Sequence, residues 1–369
     1  MTHLTDEQFS QILGNVRLRY SLTPQCNIWC LFCSNEGLGY NSKKNKPADL
    51  NLLRDLGDLV LNNSPLNKID FSGGEPTLHP DFVKEEFKLI EWAEKYPKAR
   101  FSLHSNGIEL TPRVIDRIKS PLARIGVSVN SFNFDVWKKI TDMNGRFGED
   151  IQRKRFDKLM RNLDYLASQG VSEKVFVKAV ITRGLNDSEK ELELFLQRTA
   201  QYGFHPKLLQ FDPQYPSQKG MVVERGELFQ RLEAVGCKFT SDTPRKNEPD
   251  AYIPGVNFIY EGNGRTLTGL HSIFGCGEKG ACLACYDFAC IFVKPSEDGS
   301  GIYIKPCSVI DKRFDLTAAV KRKNAEEVLQ IIKSSREYLM TTPGMGVSGW
   351  NKEKAFEAAA SGRKNEFRS

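Results

Sequence analysis

A chain of 369 residues, 40% hydrophobic with a mean hydropathy of −0.42, is long enough for one large domain plus a smaller extension, and it holds no apolar run of roughly eighteen residues that would cross a membrane. The opening stretch from Met1 to Gly14 has neither the basic nor the apolar region of a secretion signal, so a cytoplasmic location is expected. The net charge of +6 is spread along the chain, with short runs such as Lys43-Lys44-Asn45-Lys46 and Lys321-Arg322-Lys323 and no continuous basic stripe, which argues against a nucleic-acid surface and is compatible with a small anionic substrate.

Val16, Leu18, Tyr20 and Leu22 alternate with Arg17, Arg19 and Ser21, the period of a half-buried strand. That strand delivers the loop Cys26-Asn27-Ile28-Trp29-Cys30-Leu31-Phe32-Cys33, a C-x3-C-x2-C spacing. Three soft thiolates on one turning loop can converge on an iron-sulfur cluster, and three ligands to four irons leave one iron open as a reaction site. A structural zinc knuckle or three unrelated core thiols fit the same spacing. The nine cysteines gather at 26–33 and 276–307, with Cys237 apart from both, which is not the layout of a disulfide framework.

A helical pattern over 48–56 and a short strand over 68–71 lead into Ser72-Gly73-Gly74-Glu75-Pro76. Helix and strand keep alternating over 81–95, 99–104, 112–119, 124–130, 153–169, 174–181, 187–202 and 206–211. Six such units predict an α/β fold, a partial (β/α)6 TIM-like barrel with functional loops at the carboxyl ends of its strands. The motifs fall at those ends. Gly73 and Gly74 would let the backbone approach a ligand closely. His104-Ser105-Asn106-Gly107 follows the third strand, with His104, like His79, read as a neutral hydrogen-bonding or packing residue. Ser128 and Asn130 are expected to share one strand face and point into the barrel. Lys178 in the fifth strand puts a cation toward the interior for a carboxylate or phosphate, the alternative being a lysine that snorkels outward. Arg19 and Arg183 are further candidates for anionic groups.

After residue 212 the alternation breaks at a linker-like Pro-rich stretch, dividing the chain into an N-terminal segment 1–15, a barrel 16–212 and a cysteine-rich extension 213–369. The extension carries Cys276, Cys282, Cys285, Cys290 and Cys307, with a β-hairpin expected between the last two, turning at Asp298-Gly299. A helical stretch over 324–332 and a glycine-rich loop over 345–350, expected to close the open side of the barrel, complete the pattern.

With Gly73-Gly74-Glu75-Pro76 beyond a C-x3-C-x2-C loop, the chain resembles the radical S-adenosylmethionine (SAM) enzymes. The resemblance implies a [4Fe-4S] cluster on Cys26, Cys30 and Cys33. Its open iron would chelate SAM, whose reductive cleavage gives a 5'-deoxyadenosyl radical that abstracts hydrogen from carbon. It assigns Phe32, Gly73, Gly74, Glu75, Pro76, Ser105, Asn106, Ser128 and Asn130 to binding SAM, with the Gly-Gly-Glu carbonyls and the Glu75 carboxylate accepting from its ammonium; Lys178, read from the residue itself, is placed with them. Residues 175–189 look like the GTP cyclase of molybdenum cofactor biosynthesis, departing at Lys178, where that pattern has Asn. The second cysteine group looks like a twitch or SPASM extension, which implies a second iron-sulfur cluster on Cys282, Cys285, Cys290 and Cys307, with Cys276 as a further ligand; its spacing is wider than the cyclase's, and zinc is the alternative.

The expected activity is hydrogen abstraction from a nucleotide-like or other phosphorylated small molecule, driving carbon–carbon bond formation or rearrangement, with flavodoxin or ferredoxin as electron donor. One alternative is a maturase forming carbon cross-links in a ribosomal peptide, against which stands the short segment before the first strand. Another is a non-catalytic iron-sulfur sensor or nucleic-acid-binding protein. The cyclase family closes on Gly-Gly where this chain reads Asn365-Glu366-Phe367-Arg368-Ser369, which is expected to set it apart from the cofactor cyclase itself.

Overall fold

Burial along the first strand, β1 (Arg17–Ser21), alternates as the sequence demands: Leu18 and Tyr20 are fully buried while Arg17 and Arg19 lie half-exposed on the opposite face. The computed structural model of the protein describes residues 4–33, 46–82, 88–142, 145–211, 216–241, 255–272, 290–306 and 312–341. Helix α1 (Asp6–Asn15) precedes β1, held by a capping box between Thr5 and Gln8.

Five βα units follow. Helix α2 (Leu50–Asn63), capped by Asp49, leads to β2 (Lys68–Ser72), and α3 (Leu89–Lys95) leads to β3 (Arg100–Ser105). Helix α4 (Pro112–Ile118) leads to β4 (Arg124–Ser128). Helices α5 (Phe134–Thr141) and α6 (Glu149–Ser168) lead to β5 (Val175–Ile181), and α7 (Glu189–Tyr202) to β6 (His205–Gln210). Strands β1 to β6 pair in sequence, all parallel. Helix α5 was not anticipated; the long polar stretch before α6 masked its short apolar stripe of Phe134, Trp137 and Ile140. The helix expected over 81–95 is seen only as α3, and residues 83–87 lie outside the described structure.

One face of this sheet is apolar. Phe71, Phe101, Leu103, Ile125, Val127 and Val177 are buried there beneath the helices, with Trp92 of α3 set 4.9 Å from Phe101 and 6.3 Å from Phe71 between ring centroids. The other face carries Arg17, Arg19, Asp70, Ser72, His104 and Lys178, which contact one another across the strands. It is the inward face of the partial barrel.

The ends of the six-strand run are not joined to each other. After α8 (Arg225–Ala234), strands β7 (Lys238–Ser241), β8 (Gly255–Gly262) and β9 (Arg265–Ser272) extend one edge, β9 lying parallel to β6. Strands β10 (Cys290–Pro295), β11 (Ile302–Lys305) and β12 (Phe314–Asp315) extend the other, β10 lying parallel to β1 with Arg17 opposite Cys290. Strands from both sides of residue 212 therefore share one sheet. The β10–β11 hairpin turns through Asp298-Gly299, where Gly299 has φ +75°. Helices α9 (Thr317–Lys321) and α10 (Ala325–Thr341) follow. No described helix is long and apolar enough to cross a membrane.

Leu18 lies wholly within this core, so Leu18→Ala is expected to lower stability by about 2–5 kcal/mol, seen as a lower urea midpoint with unchanged slope.

Candidate active site at the carboxyl ends of the strands

The cysteine loop leaves β1 and is pinned from three sides. The Trp29 and Leu31 N–H groups donate to the Thr141 and Ile140 carbonyls at the end of α5, at 2.7 and 3.0 Å, and the Leu31 carbonyl accepts from Gln218 Nε2 at 2.7 Å. Cys33 N–H closes a turn onto the Cys30 carbonyl at 3.1 Å. The Arg146 guanidinium lies 3.2 Å from the centre of the Trp29 ring. The Phe32 side chain joins Leu31, Ile140 and Phe211 in a small apolar cluster. Cys26 and Cys30 are half-buried and Cys33 is exposed, all as free thiols.

Burial, with the Glu75 carboxylate next, pushes the Cys26 thiol up to about 12; burial and its neighbours Cys33 and Cys26 push Cys30 up as well. Burial and the repulsion that ionised neighbours would exert disfavour thiolates here, and a positive centre such as an iron cluster reverses that balance. The donor set and the pinned loop fit a cluster. Among the described residues no three His, Cys, Asp or Glu side chains close on a single ion position, a condition that ligands of separate irons need not meet.

Gly73 and Gly74 are fitted against the chain itself. Gly73 has φ +136°, and a Cβ there would lie 2.7 Å from the Thr23 carbonyl oxygen; at Gly74 it would run into the Gln25 carbonyl. The Gly74 and Glu75 N–H groups donate to the Thr23 and Gln25 carbonyls, each at 2.7 Å. The close approach expected of the glycines is therefore to the segment leading into Cys26.

The Glu75 carboxylate is buried and accepts four hydrogen bonds: from Thr77 N–H at 3.2 Å, Thr77 Oγ1 at 2.6 Å, Ser105 Oγ at 2.8 Å and Asn106 N–H at 2.6 Å. Burial raises its pKa, and these donors oppose the rise. Asn106 in turn donates through Nδ2 to Asn27 Oδ1 at 2.7 Å and lies 3.8 Å from Cys26 Sγ. Pro76 opens a 3-10 turn, Pro76–Leu78, that presents Thr77 to Glu75. These residues form the wall that holds the cysteine loop.

Asn130 departs from expectation. Strand β4 ends at Ser128 and Asn130 is left-handed at φ 65°, so the two do not share a strand face; Asn tolerates this conformation better than most residues. Both Val129 and Asn130 N–H donate to the Lys178 carbonyl, and Asn130 Oδ1 accepts from Val180 N–H at 3.1 Å. Its Nδ2 is buried with no partner among the described residues. An orphaned donor of this kind fits an acceptor on a bound ligand.

Lys178 faces inward. Its Nζ lies 3.1 Å from His104 Nδ1, and His104 Nε2 lies 3.1 Å from Asp70 Oδ2, which Arg17 Nη1 reaches at 3.4 Å. Burial pushes Asp70 up, but Arg17, His104 and Arg19 together hold it well below the usual carboxylate range. Sequence reading missed this array because no local signal joins three strands. Arg19 Nε donates to Ser72 Oγ at 3.2 Å. Arg183, expected to meet an anionic substrate, instead pairs with both Glu227 oxygens, a correction that follows from α8 packing beside it. His79 bonds the Ala48 carbonyl and the Asp81 N–H as a neutral ring. Arg155, missed entirely, is half-buried, its Nη1 has no hydrogen-bond partner among the described residues, and it lies within electrostatic reach of Cys26.

In the extension, Cys290 opens β10 with its Sγ 4.0 Å from Arg19 Nη1. Cys276, Cys282, Cys285 and Cys307, and the loop 345–350, lie outside the described residues. Cys237 is a buried core thiol.

Ionised Asp70 stabilises the fold above the unfolded carboxylate pKa of about 3.9, and that share is lost as pH falls below it, about 2 kcal/mol. Urea midpoints of Asp70→Asn should accordingly change less between pH 5 and 3 than those of the wild type.

A family model described as the Radical SAM superfamily matches residues 20–196. The chain is 33% identical over 183 residues to the GTP 3',8-cyclase of Haemophilus influenzae, covering 48% of this chain and 48% of that protein, so it spans about half the length of the curated relatives it matches at this level. With the GTP 3',8-cyclase of Streptomyces coelicolor it is 25% identical over 316 residues, 84% of this chain and 82% of the relative. Among solved structures, coproporphyrinogen III oxidase from Escherichia coli, described as a radical SAM enzyme, aligns with 64% of this chain and 57% of its own at 14% identity and a TM-score of 0.42.

Proposed function

Because residues 20–196 belong to the radical SAM superfamily and the chain resembles the GTP 3',8-cyclases, we propose that this protein is a radical SAM enzyme acting on a nucleotide-like, phosphorylated small molecule. The observation that carries the substrate class is the set of cations on the inward face, Arg17 and Arg19 beside Asp70 and Lys207 beside Lys178, a setting that attracts an anion. The names of the relatives favour a purine nucleotide.

In this reading Cys26, Cys30 and Cys33 hold the cluster, which with SAM supplies a 5'-deoxyadenosyl radical. The chain's own part is to place and protect. Glu75, Ser105 and Asn106 fix the cysteine loop, and the Asn130 amide donates to a carboxylate or hydroxyl of SAM. Phe32, Ser128 and the Gly73-Gly74 carbonyls line the same end of the barrel, which keeps water from the reacting carbon. Cys290, with Cys282, Cys285, Cys307 and Cys276, holds a second cluster, and an acidic flavodoxin or ferredoxin supplies electrons. The product is a new or rearranged carbon–carbon bond.

The test is anaerobic: the protein is reconstituted with iron and sulfide, given a reductant and SAM, and 5'-deoxyadenosine is measured with and without a panel of purine and pyrimidine nucleotides. Nucleotide-stimulated release that disappears in Cys30→Ala is the expected result. A loaded protein that cleaves no SAM with any reductant would sink the proposal, and cleavage indifferent to every nucleotide would transfer the substrate assignment to a peptide.

A further inference from the structure

We propose that Lys178 is a proton-transferring group of this site, set in place by His104 and Asp70 and turned toward the substrate on the inward face of the sheet. The proposal rests on the radical SAM reading for the identity of the reaction, but the array that carries it stands on its own geometry.

Asp70 of β2, His104 of β3 and Lys178 of β5 form one chain of contacts at 3.1 Å each. A carboxylate only accepts and a lysine amine can donate, so His104 gives its Nε2–H to Asp70 and receives Lys178 at Nδ1. His104 and Lys178 lie on strands separated by β4, and what lies between them is Gly126, the register partner of His104. A Cβ at Gly126 would sit 3.0 Å from His104 Nδ1 and 3.2 Å from Lys178 Nζ. The hydrogen bond thus passes over a gap that glycine leaves open. This gives the lysine a fixed orientation, as an orienting group gives a catalytic base in other sites.

Every strand packed against Lys178 bears on its charge. Arg19 from β1 and Lys207 from β6 add positive charge, Asp70 from β2 and Glu75 from the loop after it add negative charge, His104 comes from β3, and Ser128 is its partner on β4. Burial leads, Arg19 and Lys207 follow, and together they bring the amine down to about 7. His104, lowered to about 3 by burial and Lys178, stays neutral and orients without relaying. A lysine that merely held a phosphate would gain nothing from losing its charge; one that takes and returns protons works best when both forms coexist near neutrality.

The step balances simply. The free amine takes a proton from an O–H or N–H of the substrate and becomes an ammonium, the substrate becomes more negative by one charge, and no electron moves. The ammonium returns the proton to the product or to water. The substrate class is therefore an anion carrying a hydroxyl or amine beside the carbon that loses hydrogen, since a radical centre makes such a group more acidic.

Two measurements test this. The 13Cε resonance of Lys178, assigned by its loss in Lys178→Arg, is followed from pH 5 to 9.5 in the isolated protein; a midpoint near 7 is expected, and titration with the bulk lysines would overturn the proposal. In the reconstituted enzyme with SAM and whichever nucleotide stimulates it, Lys178→Arg keeps the positive charge and should bind that nucleotide within about threefold of wild type by equilibrium dialysis. Its turnover should fall roughly 100-fold or more, with loss of the limb that rises through pH 7. Gly126→Val, which parts the pair and removes neither group, should lower turnover with KM little changed. Wild-type turnover in Lys178→Arg would make the residue a fixed cation and overturn the proposal. Absence of SAM cleavage in the wild type would instead count against the radical SAM reading, leaving the titration to decide this one.

Discussion

The carboxylate of Glu75 is the constraint on which the rest of the site depends. Buried and raised in pKa by that burial, it is held by four donors from its own turn and from the loop after β3. Its backbone N–H and that of Gly74 clamp the segment that runs into Cys26. One residue thus ties together the loops that leave three neighbouring strands. A buried carboxylate with this many donors cannot be exchanged for an apolar group without stranding them, and each stranded donor is unfavourable by about 1–3 kcal/mol.

The glycines acquire their meaning from the same clamp. A side chain at Gly73 or Gly74 would occupy the place of the Thr23 to Gln25 backbone, so the cysteine loop would have to lift away. Burial and neighbouring negative charge disfavour the thiolate forms of Cys26 and Cys30, whose pKa values are pushed up. The fold therefore pre-pays in geometry for a positive centre, which an iron-sulfur cluster would satisfy. Across the sheet the electrostatics reverse, with Arg17 and Arg19 beside Asp70 and Lys207 beside Lys178. A barrel end with thiolates at one side and cations at the other suits a cluster and an anionic ligand side by side.

The sheet extends this arrangement in a way that chain order does not suggest. Strand β10, far along the sequence, lies against β1 and brings Cys290 opposite Arg17 and beside Arg19. Strand β9 performs the same service for β6 at the other edge. The parallel run is thereby extended past both its ends, which removes two exposed edges while leaving the barrel open.

What the sequence determined by itself is local and periodic. The alternation of Leu18 and Tyr20 with Arg17 and Arg19, the βα repeat and the spacing of Cys26, Cys30 and Cys33 are set by neighbours a few residues apart, and they were legible. So was the hairpin at Asp298-Gly299, because its turn chemistry is local. The tertiary structure decided whatever depends on strands meeting: that Asn130 leaves the strand in a left-handed turn, that Arg183 is taken by Glu227, and which partners the hydrogen-bonding His104 links. Gly126 makes the distinction plain. In sequence it is one glycine in an apolar strand; in the fold it is the opening through which His104 reaches Lys178, because a Cβ there would crowd both side chains.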